Sequence, residues 1–213
     1  MRQLDLPFNV SAADYRPPDG AELVVTGSID GAPNGIYAID ARTGIPRTIV
    51  APTPGIGIDF VRVSPDGSRL AYVASLGFVS GPGGYQVHVV DLDPLHDVPL
   101  PMPPGAVFQD APSWSNDGTR LAITRGYTRL NEDMALAVVP ADGTGTGVES
   151  AHHLTGCCDT LLEWSPDDTT ILVIPETQDQ QGKQYLLLDP KNGATTTAPW
   201  TGWTPTAWQR VAP

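Results

Sequence analysis

A turn that leads into an apolar strand occurs four times along this chain at nearly constant spacing. The turn aspartates are spaced by 47, 51 and 50 residues, at Asp19, Asp66, Asp117 and Asp167. The copies read Pro17-Pro18-Asp19-Gly20, Ser64-Pro65-Asp66-Gly67, Ser115-Asn116-Asp117-Gly118 and Ser165-Pro166-Asp167-Asp168. Repeats of this length are typical of propellers and solenoids. The sequence therefore predicts an array of equivalent units.

Each unit contains segments that favour four β-strands. A short strand precedes the turn, and a continuous apolar run follows it, as expected for a strand buried on both faces. Those runs are Leu23-Val24-Val25-Thr26, Leu70-Ala71-Tyr72-Val73, Leu121-Ala122-Ile123-Thr124 and Ile171-Leu172-Val173-Ile174. Two further strands follow in each unit, and two of the connecting turns share an Asp-x-x-x-Gly pattern, in which glycine permits positive φ. Four antiparallel strands per unit predict an all-β fold, a β-propeller with four-stranded blades.

We expect one propeller domain over residues 1–213. Its four recognisable blades cover approximately residues 12–50, 59–100, 111–154 and 160–198. Segments 2–6 and 206–211 are interpreted as terminal strands of a further, shared blade. Three interpretations of that blade stay open: the chain is a fragment of a longer propeller, it closes as a small ring with a reduced last blade, or another chain completes an exposed edge.

The repeat resembles the WD40-like (PD40) repeat of TolB-type propellers, whose signature is Trp-Ser-Pro-Asp-Gly followed by an apolar strand. The residues that carry the resemblance are Trp164-Ser165-Pro166-Asp167, Ser64-Pro65-Asp66-Gly67 and Trp114-Ser115-Asn116-Asp117-Gly118. The resemblance covers nearly the whole chain. It implies the fold and, because such propellers are usually exported, a periplasmic or extracellular location. It does not imply one function, since a fold hosts many functions.

Charge excludes some classes of partner. The chain has a formal net charge of −12, with 24 acidic and 12 basic residues. This balance argues against binding to nucleic acid or to an anionic membrane surface, both of which require lysine and arginine. No apolar run approaches the length of about 20 residues that a membrane-spanning helix needs. The partner that we expect is a protein or peptide, held on the face with irregular loops or along an open edge.

Residues that recur at one repeat position are interpreted as structural. Trp114 and Trp164 lie three residues before the turn aspartate, and Trp208 follows Trp164 by 44 residues, close to the repeat length. Their recurrence at one repeat position predicts packing between blades. The repeated aspartates are expected to accept hydrogen bonds from the backbone of their own turns. These are Asp19, Asp66, Asp117 and Asp167.

Binding is expected on the opposite end of the blades from these turns. That end carries the longer, irregular loops, which is where binding groups usually lie on a rigid frame. Aromatic and arginine side chains often anchor protein interfaces. The candidate binding residues are Phe78, Phe108, Asp110, Tyr127, Arg129 and Asp133.

Residues 152–159 contain the most unusual side-chain chemistry of the chain. His153 and Cys157 have a spacing compatible with a zinc or copper site, and imidazole and thiolate suit both metals. His152 and His153 are adjacent on an expected strand, so their side chains point to opposite faces. We predict no metal site and no cofactor, with His153 and Cys157 as the alternative candidates.

Three functions stay open. The first is a non-catalytic module that binds a protein or peptide. The second is the gating propeller of a serine peptidase of the prolyl-oligopeptidase type. The third is a metal-dependent propeller hydrolase or lyase. The sequence contains no nucleophile elbow, phosphate loop or dinucleotide motif, so no catalytic residue is assigned.

Overall fold

The computed structural model describes residues 9–28, 33–75, 84–128, 133–150, 161–174 and 184–201. These residues form four antiparallel sheets of four strands each. The chain divides into two compact units, Met1–Leu100 and Pro101–Pro213, with two sheets in each. The predicted all-β fold of four-stranded blades is confirmed, whereas the predicted single domain stays a prediction. The expected strands at 2–6 and 206–211 lie outside the described residues.

Each sheet is a blade whose strands lie in sequence order. In the first unit, blade 1 contains β1 (Asn9–Tyr15), β2 (Glu22–Ser28), β3 (Gly35–Asp40) and β4 (Pro46–Val50), and blade 2 contains β5 (Gly57–Val63), β6 (Arg69–Ser75), β7 (Tyr85–Leu92) and β8 (Leu95–Pro99). In the second unit, blade 3 contains β9 (Phe108–Trp114), β10 (Arg120–Gly126), β11 (Met134–Pro140) and β12 (Val148–Glu149), and blade 4 contains β13 (Leu161–Trp164), β14 (Ile171–Ile174), β15 (Gln184–Leu188) and β16 (Thr195–Thr201).

The second strand is largely buried in every blade. Leu70, Ala71 and Val73 in β6 have no exposed surface, and Leu121, Ala122 and Ile123 are equally buried in β10. A strand with a neighbour on each side and side chains packed on both faces has no solvated face. This environment explains why these segments read as continuous apolar runs rather than as alternating patterns.

The turn between the first two strands has the same hydrogen bonds in blades 2, 3 and 4. Its first residue is a serine whose carbonyl accepts the N–H three positions later, from Gly67, Gly118 or Asp168. These acceptor–donor pairs define β-turns of the type predicted from Ser-Pro-Asp-Gly. The fourth turn residue has positive φ, including φ 55° at Asp168, where glycine is replaced.

The core of the first unit lies between its two blades. Val24 and Ile36 of blade 1 pack in one apolar cluster with Ile58, Leu70 and Tyr72 of blade 2. The turn of blade 2 also contacts blade 1, because the Arg16 Nε donates to the Gly67 carbonyl at 2.8 Å. The two blades of this unit are thus joined by their apolar faces and at one turn.

We expect Gly67→Ala to destabilise the chain by about 3 kcal/mol. Gly67 has φ 72°, and an added Cβ would clash with the backbone carbonyl of Pro17. The left-handed conformation costs an alanine about 1–2 kcal/mol, and overpacking typically adds about 1–3 kcal/mol. Gly55→Ala is the matched control, since Gly55 has φ 82° but open space around it. Equal loss in both variants, measured by urea unfolding, would show that the contact with Pro17 is unimportant.

The core of the second unit also lies between its two blades. Leu136 and Val138 of blade 3 share an apolar cluster with Leu162, Trp164 and Ile171 of blade 4. The indole Nε1 of Trp164 donates to the Ser113 carbonyl at 3.0 Å. The Arg120 guanidinium lies over the indole ring, 4.8 Å from its centroid. Trp164 therefore connects the two blades through apolar, hydrogen-bonding and cation–π contacts.

Asp168 forms a second connection between blades 3 and 4. Its Oδ1 accepts hydrogen bonds from the backbone N–H and side-chain Nδ2 of Asn116, both at 2.7 Å. Its Oδ2 accepts the N–H of Asp117 at 2.9 Å. These three bonds give a physical reason for an aspartate at a left-handed position that glycine normally occupies.

In the part of the chain that the structure describes, no helix is long and apolar enough to cross a membrane.

Candidate binding face

The ends of the blades carry different kinds of connection. The β-turns and the connections from third to fourth strand lie at one end, which we call the turn end. The connections from second to third strand, and those between blades, lie at the other, which we call the loop end. This assignment follows from antiparallel strand order.

Four of the six candidate binding residues lie at the loop end of blade 3. β9 begins at Phe108, β10 ends just before Tyr127, and β11 begins just after Asp133. The Tyr127 N–H donates to the Asp133 carbonyl at 2.9 Å, which holds the base of the connecting loop closed. Asp110 lies two residues into β9. Phe78 and Arg129 lie outside the described residues.

Phe108 and Asp110 have local structural contacts. The Phe108 ring is 9% exposed and lies against Gly126, where any Cβ would collide with the ring. Asp110 accepts the N–H of Ala111 through Oδ1 at 2.7 Å. Ala111 has φ 52°, and the β9–β10 register shifts beside it. Phe108 thus supports the loop end from inside the blade, and Asp110 stabilises a bend in its first strand.

Tyr127 belongs to a charged network that the sequence analysis did not predict. Its hydroxyl lies 2.7 Å from both carboxylate oxygens of Glu149. Glu149 Oε1 also accepts a hydrogen bond from Arg125 Nη1 at 2.8 Å. Burial raises the pKa of Tyr127 to about 12, with further contributions from the hydrogen bond to Glu149 and its negative charge. The phenol is therefore a neutral hydrogen-bond donor held in one position.

Arg125 is the buried member of this network. Its side chain is 1% exposed, against 29% for Glu149, and its Nε and Nη2 have no hydrogen-bond partner among the residues that the structure describes. The one available signal in the sequence is a charge directly after the apolar run Leu121-Ala122-Ile123-Thr124. A buried charge needs a partner. The sequence gives no means of identifying Glu149, 24 residues later, as that partner.

The turn aspartates are occupied by their own turns. Ser64, Ser115 and Ser165 each donate a side-chain hydrogen bond to the aspartate two residues later, at 2.6, 2.6 and 2.7 Å. The first copy differs, because among the described residues Asp19 accepts one hydrogen bond, from the Ala21 N–H at 3.0 Å. Trp114 is buried in β9, and Trp208 lies outside the described residues.

We expect low pH to reduce the stability of the blades, because it protonates the turn aspartates. The Ser64 hydroxyl and the Ser68 N–H lower the pKa of Asp66 to about 2. An unfolded aspartate has a pKa of about 3.9. Because the folded value is the lower one, the stabilisation is present above about pH 4 and is lost as pH falls to about 2.

Unfolding between pH 6 and pH 2 tests this expectation. Asp66→Asn should lower the free energy of unfolding by about 1 kcal/mol at pH 6. Its free energy of unfolding should also fall less steeply in acid than that of the wild type. Asp19→Asn is the control, with a smaller loss because its carboxylate accepts a single hydrogen bond. An unchanged acid dependence in Asp66→Asn would contradict the prediction.

The first unit has two further polar features. A groove of about 430 Å³ lies at its turn end, lined by residues that include Arg16, Asp19 and Asp66. Arg16 is already bonded to Glu22 and to Gly67, so the groove offers little unused polar chemistry.

In blade 2, Asp97 accepts a hydrogen bond from the Tyr72 hydroxyl at 2.7 Å and contacts His88 Nδ1 at 2.9 Å.

The described residues contain no group of three or more histidine, cysteine, aspartate or glutamate side chains that could hold a metal. The alternative metal candidates, His153 and Cys157, lie outside them. Among the loop-end residues that the structure describes, no nucleophile–base pair is assigned.

Comparison with known proteins shows which solved structures share the fold of this chain. No protein-family model and no curated protein matches the chain. Among solved structures, TolB from Acinetobacter baumannii aligns with a TM-score of 0.63 and 17% identity, over 91% of this chain and 44% of that one. The chain has the TolB-like β-propeller fold. The confirmed fold is the one that the Trp-Ser-Pro-Asp-Gly repeat predicted.

Two peptidase structures also align. A prolyl endopeptidase gives a TM-score of 0.61 at 15% identity, over 90% of this chain and 29% of that one. The β-propeller domain of the Trilobed protease from Pyrococcus furiosus gives 0.59 at 15% identity, over 90% and 57%. The chain thus spans less than two thirds of each of these proteins. At this level of identity the likeness shows the fold alone.

Proposed function

We propose that this TolB-like propeller is a non-catalytic binding module that holds a protein or peptide partner at its loop end. The observation that carries the proposal is the hydrogen bond from the Tyr127 hydroxyl to Glu149, whose carboxylate is also paired with Arg125. A tyrosine whose hydroxyl is fixed by a charged pair can anchor a partner at little entropic cost. At the turn end, by contrast, the aspartates of blades 2, 3 and 4 are used by their own turns.

Photo-cross-linking tests which end binds a partner. Benzoylphenylalanine would replace Tyr127 at the loop end and, as a matched control, Asp142 in the β11–β12 turn. We expect cross-links to one defined protein from position 127 and none from position 142. Cross-links from position 142 alone would overturn the assignment of the loop end.

A variant measurement complements the cross-linking. We expect Tyr127→Phe, which keeps the ring but loses the hydroxyl bond to Glu149, to weaken capture of the cross-linked partner about fivefold. A hydrogen bond to a charged group typically contributes at least 1 kcal/mol, which corresponds to that factor. Thr144→Ala at the turn end is the control. Equal capture by wild type and Tyr127→Phe would contradict a role for the anchored phenol.

The second candidate is a gating propeller of a prolyl-oligopeptidase-type peptidase. The similarity to prolyl endopeptidase favours it, although this chain covers 29% of that protein. In this case the partner would be a catalytic domain. Co-purification with an α/β-hydrolase domain encoded beside this chain would distinguish this function from a general binding module.

A metal-dependent hydrolase or lyase remains the third proposal. His153 and Cys157 are its candidate ligands. Elemental analysis of protein purified without an affinity tag tests it directly. A stoichiometric metal that is lost in His153→Ala would support it, and metal-free protein would exclude such a site.

A further inference from the structure

The first strand of blade 2 contains an unusual backbone bend. In the pairing of β5 with β6, Asp59 lies opposite Val73 and Arg62 opposite Ala71, so Phe60 and Val61 share one partner position. This is a β-bulge, in which an extra residue bends the strand. Phe60 has φ 51°, in the left-handed region that bulky side chains rarely adopt.

The strained residue presents an aromatic ring to solvent. Phe60 is 40% exposed, whereas its neighbour Val61 is fully buried. The equivalent bend in β9 has φ 52° at Ala111, which carries only a methyl group. The bend therefore does not require an aromatic residue. Unusual backbone conformations concentrate at functional sites, so the exposed ring calls for a functional explanation.

Asp59 lies directly before Phe60 and carries a partly buried carboxylate. Among the described residues none forms a hydrogen bond or ion pair with it, unlike Asp110, which accepts the Ala111 N–H. Burial raises the pKa of Asp59. A partly desolvated carboxylate without a partner favours binding of a cation that supplies the missing charge and donors.

Asn34 provides a further acceptor beside this strand. Its Nδ2 donates to the Ile58 carbonyl at 3.2 Å and lies 3.4 Å from Ser11 Oγ. The Asn34 amide nitrogen is thus directed at the protein, which leaves its Oδ1 as an acceptor. Asn34 precedes β3, so this cluster lies at the loop end of the first unit.

We propose that Asp59 and Phe60 form a subsite for an organic cation, the guanidinium or ammonium group of a basic side chain in a peptide partner. The carboxylate supplies the charge and the ring supplies a cation–π surface. The net charge of −12 favours approach of a basic partner. The inference rests on the proposed function only for the source of the cation, since the subsite itself is defined by residues of blade 2.

Titration of the full chain with small ligands tests the subsite without any partner. The probes are N-acetylarginine amide and the corresponding citrulline amide, which has a similar shape but no charge. Chemical shifts of labelled phenylalanine rings and aspartate carboxyl groups report binding. We expect the arginine probe to shift the Phe60 and Asp59 signals with millimolar affinity and citrulline to bind at least tenfold more weakly. Equal binding of the two probes would overturn the proposal.

Variants locate the binding. We expect Asp59→Asn and Phe60→Leu each to weaken arginine binding at least fivefold, and Phe60→Tyr to retain it. Asp91→Asn and Tyr85→Leu are matched controls, because both side chains are exposed on β7, two strands away from β5 in the same blade. Circular dichroism establishes that each variant folds. Unchanged binding in Asp59→Asn, or an equal loss in Asp91→Asn, would contradict the assignment.

A third probe separates peptide cations from free polyamines. Spermidine carries ammonium groups without a peptide backbone. Binding of the arginine probe at least as tight as that of spermidine supports a peptide source, and a clear preference for spermidine overturns it. A failed cross-link from position 127 would concern the second unit and leave this subsite unaffected, so the two proposals fail separately.

Discussion

Trp164→Ala should lower the free energy of unfolding by about 4 kcal/mol. The change removes the largest side chain of the apolar cluster between blades 3 and 4, where Trp164 is 5% exposed. Tryptophan-to-alanine changes in cores cost about 3–5 kcal/mol. The hydrogen bond to the Ser113 carbonyl and the contact with the Arg120 guanidinium are lost as well. Urea unfolding followed by circular dichroism measures the loss.

Trp164→Phe separates the contributions. Phenylalanine keeps an aromatic ring in the cluster but cannot donate to Ser113, so we expect a loss of about 2 kcal/mol. A loss below about 1 kcal/mol in Trp164→Ala would show that the repeated tryptophan does not hold these two blades together.

Glu149→Ala should destabilise the chain by about 3 kcal/mol. Within the described part of the chain, Nη1 is the one Arg125 nitrogen that forms a hydrogen bond and Glu149 is its acceptor, so this variant leaves the buried guanidinium without a partner there. Removing one member of a buried ion pair typically costs about 3–5 kcal/mol, because the remaining charge is uncompensated. Tyr127 loses its acceptor in the same variant.

The double variant Arg125→Met with Glu149→Leu provides the decisive comparison. Apolar replacement of a buried pair is often neutral or stabilising, so we expect the double variant to regain at least half of the lost stability. The coupling energy between the two sites follows from the complete double-mutant cycle. A double variant less stable than Glu149→Ala would contradict the view that the uncompensated charge causes the loss.

The sequence predicted the fold from features that are local. Ser64, Asp66 and Gly67 form one turn through contacts within a few residues, and Leu70 to Val73 form the adjoining strand. Local hydrogen bonds and strand periodicity can be read from neighbouring residues. Repetition of the pattern at intervals near 50 residues then identified the blades.

The sequence was less informative about the candidate sites. It placed Tyr127 and Asp133 at the loop end, but it also selected Phe108, whose ring is buried against Gly126. The identity of an aromatic residue does not show whether its side chain packs inward or faces solvent. Phe60 was missed for the same reason, because its exposure follows from a bulge that depends on pairing between β5 and β6.

The repeat by itself determined which segments turn, which become strands and that four blades form, because these properties depend on residues close in sequence. Only the tertiary structure decided which polar and charged side chains from distant parts of the sequence contact one another. Arg125 and Glu149 lie on different strands, and Asn116 and Asp168 lie in different blades. Such pairs depend on strand register and blade packing, which bring together groups that no local pattern connects.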